Sequence, residues 1–274
     1  MPDAYNDNAF SSSSSSSSTT SASSSSFSPS AAAPAAAAAA AASSAPQPPL
    51  LTVVDYGCGP GKWLSFLVTA FRHRADVRGM DVSANLVSLA AKQAPSATVS
   101  QANLERLVEV QAAVGARPGS KADVGCCANV LISPETNTRA RIIANIRHTL
   151  KSGAKMIWVV PSLESAIFCE WRWLRSGPCG FEPSSTAEAI PATRGVHAQH
   201  ILAGTLKRDG VRTKHYLREE FETTMQQSGF RVERARKVRY GWDMEFGDAN
   251  SVPRHIQLRP DPGPWDWLFE TTRL

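Results

Sequence analysis

From Leu51 onward, short apolar runs alternate with stretches whose apolar positions recur every three or four residues. Leu51–Asp55, Val77–Asp81, Thr98–Ala102, Ala122–Ile132 and Lys155–Val160 read as short strands rich in apolar residues and bounded by turn formers, as in a sheet buried on both faces. Between them, Lys62–Arg74 carries Trp63, Leu67 and Phe71 at helical spacing, and Pro134–Leu150 carries Ile142, Ile146 and Leu150 on one face. Ala84–Ala94 reads as a helix with Ser83 at its N-cap and Pro95 at its end, and Leu104–Val114 as one closed by Gly115. Lys151-Ser152-Gly153 ends the longest helix with a positive charge and a glycine. Strands that alternate with helices in this way predict an α/β architecture: a parallel, doubly wound sheet covered on both faces.

Beyond Pro161 the pattern changes. Ser162–Arg175 reads as a helix bearing Trp171 and Trp173, and a loop rich in Pro, Ser and Gly follows to Thr193. Thr205–Tyr216 is split by Asp209-Gly210, a hairpin-turn signal. Arg218–Ser228 is an amphipathic helix with Gly229 just beyond it, and Phe230–Tyr240 follows as a strand. Pro264–Phe269 is too aromatic for a free tail, so it is expected to dock as a strand or over a groove.

Residues 1–48 are of another kind, almost all Ser, Ala, Pro and Asn, with Ser11–Ser18 and Ala35–Ala42 as homopolymeric runs. Such a segment has too little apolar area to offset its ordering entropy and is expected to be disordered. A Ser-rich, acid-poor stretch has a targeting peptide as one reading, but no Lys or Arg occurs before Lys62, and a low-complexity extension is preferred. Residues 49–274 then suit one folded domain. No apolar run reaches the roughly 18 residues of a membrane span.

Residues 1–61 carry three acids and no bases, so the remainder holds all 29 Lys and Arg against 21 of the 24 acids, a net charge of +8. Arg231, Arg234, Arg236, Lys237 and Arg239 supply much of it along one strand, which is read as a solvated face. A nucleic-acid surface is disfavoured, because aromatic residues do not interleave with these bases. The five cysteines, at 58, 126, 127, 169 and 179, are odd in number and lack Cys-x-x-Cys spacing, which fits a reduced compartment and a cytoplasmic location. His197 and His200 lack an intervening Glu and a nearby third ligand, so no metal site is expected.

The chemistry concentrates in Val53-Val54-Asp55-Tyr56-Gly57-Cys58-Gly59-Pro60-Gly61. A β-branched run ending in an acid, followed by alternating glycines and a helix, lets a ligand approach bare backbone. Asp81, twenty residues past Gly61, stands where dinucleotide-type folds place a carboxylate on a ribose. A dinucleotide fingerprint would have its third glycine at the position of Lys62, so a nicotinamide reductase is disfavoured, and the Lys-Ser/Thr pair of a P-loop is absent.

The spacing Asp55-x-Gly57-x-Gly59-x-Gly61 resembles motif I of the class I S-adenosylmethionine-dependent methyltransferases. The resemblance implies a Rossmann-like seven-stranded sheet of order 3-2-1-4-5-7-6 with strand 7 antiparallel, and S-adenosylmethionine as cofactor. It assigns Asp55, Gly57, Cys58, Gly59 and Gly61 to the turn that holds the cofactor. Gly79-Met80-Asp81-Val82-Ser83 looks like motif II, with Asp81 accepting both ribose hydroxyls and Val82 beside it. Asn103 and Leu104 stand where the family often has an aspartate facing the adenine amino group, and the Asn103 amide could serve instead. Asn129 corresponds to the polar residue close to the sulfonium. The adjacent Cys126 and Cys127 are read as pointing to opposite faces of a buried strand.

Two features depart from the family. The helices that often precede motif I as a lid have no counterpart in the low-complexity stretch, and the strand-4 signature of nucleobase or glutamine amino methylation is missing. The expected activity is methyl transfer to a small-molecule or protein acceptor. The rival reading is a methyltransferase-like binding module without catalysis. Methyl transfer needs chiefly proximity and alignment, so no catalytic residue is assigned. Trp171, His215 and Tyr216 are the candidates for substrate contact, His215 being also the best candidate base.

Overall fold

The computed structural model describes residues 50–115, 120–174, 198–208, 210–247, 249–252, 254–258, 260 and 262–274. The loop from Ser176 to Thr193, and with it Cys179, lies outside the described residues, as does the proposed low-complexity extension.

Seven strands form one sheet, and the chain order of its elements follows the predicted alternation. β1 (Leu51–Tyr56), α1 (Lys62–Phe71), β2 (Ala75–Asp81), α2 (Ala84–Gln93), β3 (Thr98–Gln101), α3 (Leu107–Val114), β4 (Ala122–Ala128), α4 (Thr136–Thr149) and β5 (Leu150–Pro161) make up the parallel half. After α5 (Leu163–Leu174) and α6 (Ala198–Ala203), a separate hairpin is built from β6 (Thr205–Arg208) and β7 (Val211–Lys214). The chain then returns through α7 (Arg218–Gln227) to β8 (Phe230–Arg239), passes the short helices α8 (Trp242–Phe246) and α9 (Arg254–Leu258), and ends in β9 (Trp265–Arg273). The spatial order is β3-β2-β1-β4-β5-β9-β8, with β9 antiparallel to both neighbours. Counted within this sheet, that is the expected 3-2-1-4-5-7-6 order.

The aromatic segment Pro264–Phe269 is therefore the heart of a strand, not a cover over a groove. Trp265, Trp267 and Phe269 alternate with Asp266 and Leu268, placing the aromatic side chains on one sheet face. There Phe269 packs against Phe221 of α7 at a ring separation of 4.6 Å. Trp158 of β5 stands edge-on to Phe230 at 5.5 Å and to Phe221 at 6.2 Å, and its indole N–H donates to Thr271 Oγ1 at 2.9 Å. These groups share a core with Tyr56, Met80, Ile142, Ile146 and Met225. The opposite face carries a second core in which Val53, Leu64, Leu67, Val77 and Ala90 meet under α1 and α2. Cys126 belongs to the second core and Cys127 to the first, on opposite faces as expected.

Several predicted boundaries shift. β4 ends at Ala128 rather than Ile132, because Asn129 takes a left-handed backbone (φ 56°) and turns the chain. Val130, Leu131 and Ile132 are apolar because they wall a cleft and the core, not because they extend a strand. Leu104 and Glu105 form a turn before α3, whose first helical residue is Leu107. Leu150 leaves α4 to open β5, and Gly153 (φ 77°) lies in an irregular stretch where the register jumps between Ala122↔Leu150 and Val124↔Lys155.

The basic strand is an edge with much of its charge occupied. Arg231 pairs with Glu233, Arg236 with Glu270, and the Lys237 ammonium sits 3.7 Å from the Trp265 ring centre. Among the described residues no helix is long and apolar enough to cross a membrane, and no cluster could hold a metal ion.

Candidate functional site: a cleft at the carboxyl ends of the strands

Strand β1 delivers its last residues into a turn tied to β2. The N–H groups of Gly57 and Cys58 both donate to Met80 O, at 2.8 and 2.9 Å. Gly57, Gly59 and Gly61 all have positive φ (78°, 53° and 95°). At Gly59 the space where a side chain would stand is open, so this backbone can lie against a ligand. A Cβ at Gly61 would sit 2.9 Å from the Ala90 Cα, so this glycine serves the packing of α1 on α2 instead.

Asp81, at the end of β2, binds the turn from the side. Its Oδ2 accepts the Gly59 N–H at 3.0 Å and its Oδ1 the Ser83 N–H at 2.9 Å. Each oxygen keeps a further lone pair, enough for a vicinal diol. Helix α2 does not need Asp81 as its cap, because Ser83 Oγ accepts from Leu86 N at 3.4 Å.

Asn103 follows β3. Its N–H donates to Glu109 at 2.8 Å, and its Oδ1 accepts the Glu105 N–H at 2.9 Å. The amide oxygen expected to face an adenine amino group is thus partly used in holding its own turn. Helix α4 fixes that turn from below, with Asn145 donating to Leu104 O at 2.8 Å and Arg141 paired with Glu105. On the other wall, Asn129 donates its N–H to Val159 O at 2.8 Å, and its Nδ2 reaches Asp266 Oδ2 at 3.5 Å.

These residues surround a cleft of about 480 Å³, within the ~300–1,000 Å³ of small-molecule sites. It lies at the carboxyl ends of the strands, by β1 and β4, where the order of the sheet reverses. Of the ten residues predicted for the cofactor, Gly57, Gly59, Asp81, Val82, Asn103, Leu104 and Asn129 line it. Asp55, Cys58 and Gly61 do not. The Cys58 side chain turns into the core under α1, where burial raises its thiol pKa to about 12, Asp55 and Asp81 adding to the effect. Sequence reasoning missed Glu105, Ile132 and Ile142 in the wall, since none stands in a motif.

Asp55 is almost fully buried beneath the turn, and its Oδ2 has no hydrogen-bond partner. Burial, and then the neighbouring Asp81 carboxylate, raise its pKa from 3.8 to about 7. A cation in the cleft would favour its ionised form, so its influence on a ligand is electrostatic. An amino-acid ammonium, a ribose diol and close backbone contact are what this set can hold. The residues present fit S-adenosylmethionine.

The predicted substrate residues are dispersed. Trp171 stands half exposed on α5, stacked on Phe168 at 6.1 Å. Tyr216 is a core residue whose hydroxyl donates to Leu131 O at 2.7 Å. His215 is buried, with Nδ1 at 3.1 Å from Thr213 O, in a recess shared with Asp266.

Fold and cleft together are similar to those of the class I S-adenosylmethionine-dependent methyltransferases. Residues 53–153 match the family model described as a methyltransferase domain, and that segment spans the glycine turn, Asp81, Asn103 and Asn129. Among solved structures, the chain is similar to a methyltransferase from Anabaena variabilis (13% identity, TM-score 0.52, covering 82% of this chain and 77% of that one). It is also similar to one from Methanosarcina mazei (18%, 0.51, 81% and 92%) and to a proposed one from Listeria monocytogenes (17%, 0.50, 82% and 91%). At these identities the likeness speaks for the fold. No curated protein matches the chain.

Proposed function

We propose that the protein is a catalytically competent methyltransferase whose acceptor is a small molecule, and that residues 49–274 form its catalytic domain, residues 1–48 being a low-complexity extension. The observation that carries the reading is the Asp81 carboxylate, bonded to the Gly59 and Ser83 N–H groups and facing an open cleft beside a buried Asp55. Bound S-adenosylmethionine supplies an activated methyl group on a sulfonium. Asp81 would hold the ribose, the Gly57–Gly59 backbone and the field of Asp55 the amino-acid end, Asn103 and Leu104 the adenine, and Asn129 the sulfonium side. The chain's remaining task is to align an acceptor in line with the methyl–sulfur bond and to exclude water.

A small acceptor is supported by the pairing of the basic strand's charges, Arg231 with Glu233 and Arg236 with Glu270, which leaves less of an open basic surface. Helix α5 and the segment between β8 and β9 share a separate core of Cys169, Trp242, Val252 and Ile256. Cys58, Cys126 and Cys127 are buried and unbridged, which supports a reducing, cytoplasmic setting.

The test is incubation with methyl-labelled S-adenosylmethionine and whole extract, with label then sought in small-molecule, protein and nucleic-acid fractions. Label in the small-molecule fraction is expected. Label confined to macromolecules would reject the acceptor class. Absence of S-adenosylhomocysteine binding in calorimetry would reject the reading altogether.

A further inference from the structure

A groove opens between α4 and the turn that joins α7 to β8. Ala140, Ala144 and Arg147 form one side of it, and Gln227, Ser228 and Gly229 the other. Arg147, in the last turn of α4, and Gly229, just before β8, stand at the amino ends of parallel strands, the far end of the sheet from the donor cleft. The spacing of the three α4 residues puts them on one helix face, and the two alanines keep the floor low. The groove encloses about 350 Å³, within the ~300–1,000 Å³ of small-molecule sites. Its described lining holds one charged residue, Arg147, and no carboxylate.

A second arginine stands beside the first. Arg273 pairs in register with Phe230, next to Gly229, and its guanidinium donates to Leu150 O. Its pKa is held below the ordinary arginine range, by burial first and by the charge of Arg147 second. The Nε of each arginine is buried without a hydrogen-bond partner, and among the described residues neither side chain forms an ion pair. Buried donors without acceptors are rare in folded proteins. Gly229 (φ 80°) passes so close that a Cβ there would stand 2.5 Å from Arg147 Nε, so the turn holds this arginine in place. An arginine in the last turn of a helix is ordinarily matched to the helix dipole, which presents about half a negative charge there. The dipoles fall short here. Ser228 and Gly229 N–H groups already donate to Thr224, Met225 and Gln226 O at the end of α7. The Leu150 N–H and the Thr149 hydroxyl likewise take Arg147, Asn145 and Ile146 O at the end of α4. Two helix ends offset about one of two guanidinium charges, so about one positive charge stays unbalanced.

We propose that this groove is a second ligand site, which binds a small organic phosphomonoester through the Arg147 guanidinium in the field of Arg273. A planar guanidinium matches two phosphate oxygens at once. A phosphomonoester carries close to two negative charges at neutral pH, which suits a pair of arginines better than a single carboxylate does. The groove is larger than a bare phosphate needs. The organic part of the ligand would lie along Ala140 and Ala144, with Gln227 and Ser228 offering an amide and a hydroxyl at the rim. The site stands apart from the methyl-transfer reading, since it shares no described lining residue with the donor cleft.

The experiment is calorimetry on the full chain at neutral pH with four probes: phenyl phosphate and glycerol 3-phosphate, and the singly charged dimethyl phosphate and benzoate. The phosphomonoesters should bind with Kd below about 1 mM, and the singly charged probes at least about tenfold more weakly. Arg147→Gln should weaken phenyl phosphate about tenfold or more while S-adenosylhomocysteine affinity stays within about twofold. Asp81→Ala, which alters the donor cleft, should leave phenyl phosphate affinity within about twofold. Should Arg147→Gln not fold, Ala144→Glu serves in its place. Ala144 is exposed, and a glutamate three residues before Arg147 would pair with it and repel the phosphate, abolishing binding. No binding of either phosphomonoester at about 5 mM, or equal binding of dimethyl phosphate or benzoate, overturns the proposal. So does an unchanged affinity in Arg147→Gln or Ala144→Glu, or loss of phenyl phosphate binding in Asp81→Ala, which would place the probe in the donor cleft. Failure to bind S-adenosylhomocysteine is separate: it strikes the methyl-transfer reading and leaves this site standing.

Discussion

Asp81 and Gly59, 22 residues apart in sequence, are joined by a carboxylate-to-backbone hydrogen bond of 3.0 Å. One side chain thereby shapes the glycine turn and keeps free lone pairs at the wall of the cleft.

Replacing Asp81 by Ala should remove both functions. Hydrogen bonds to a charged group contribute roughly 1.5–3 kcal/mol each. Loss of those to a diol should weaken S-adenosylhomocysteine by at least about a hundredfold in calorimetry. Circular dichroism should stay unchanged, since Ser83 still caps α2. Affinity within threefold of wild type would remove Asp81 from the site.

Asp55 makes the ligand-free protein sensitive to pH. Its folded pKa of about 7 lies above the ordinary 3.8, so the folded state keeps a proton that the unfolded chain releases. This contribution is fully present below pH 4, declines as pH rises from about 4 to about 7, and is gone above. Asp55→Asn should therefore raise the melting temperature of the ligand-free protein at pH 8 and leave it little changed at pH 4, a gain on the order of 2–4 kcal/mol. The same variant should bind S-adenosylhomocysteine more weakly. A stability difference independent of pH would refute the ionisation argument.

The glycines of the turn should separate by function. Gly61→Ala combines left-handed backbone with a contact at the Ala90 Cα, and should cost about 2 kcal/mol or more in urea unfolding. Gly59→Ala meets only the conformational cost, about 1–2 kcal/mol, because the space above it is open. Its larger effect should be on ligand affinity. The reverse ranking in the unfolding experiment would contradict the packing role of Gly61.

Thr271 gives the buried Trp158 indole its acceptor. Thr271→Val keeps the volume and orphans that N–H, at a cost of roughly 1–3 kcal/mol in chemical denaturation. S-adenosylhomocysteine affinity should not move, because the pair lies away from the cleft. A neutral substitution would mean that the indole finds another acceptor.

Much of this was readable from sequence, for identifiable reasons. Strands buried on both faces must be apolar throughout, so β1, β2 and β5 announced themselves. Asp81 was legible as a cleft residue because it closes the strand that follows the glycine turn, and the structure brings the two together. Other positions were hidden by the same physics. Val130–Ile132 continues the apolar run of β4 although the chain has already turned at Asn129, because cleft walls and strands both need apolar residues. Cys58 shares the turn with Gly57 and Gly59, but its side chain falls to the other side, into the core.

The position of β9 has a consequence for synthesis. Among the described residues, β8 has no hydrogen-bonded neighbour in the sheet except β9, which separates it from β5. Until residues 265–273 have been made, β5 is left as an unpaired edge beside Trp158, and β8 has no strand to join it to the sheet. Such an edge invites a foreign strand. Chains that stop short of Trp265 should for that reason be held by chaperones or cleared, whatever the integrity of the glycine turn two hundred residues earlier.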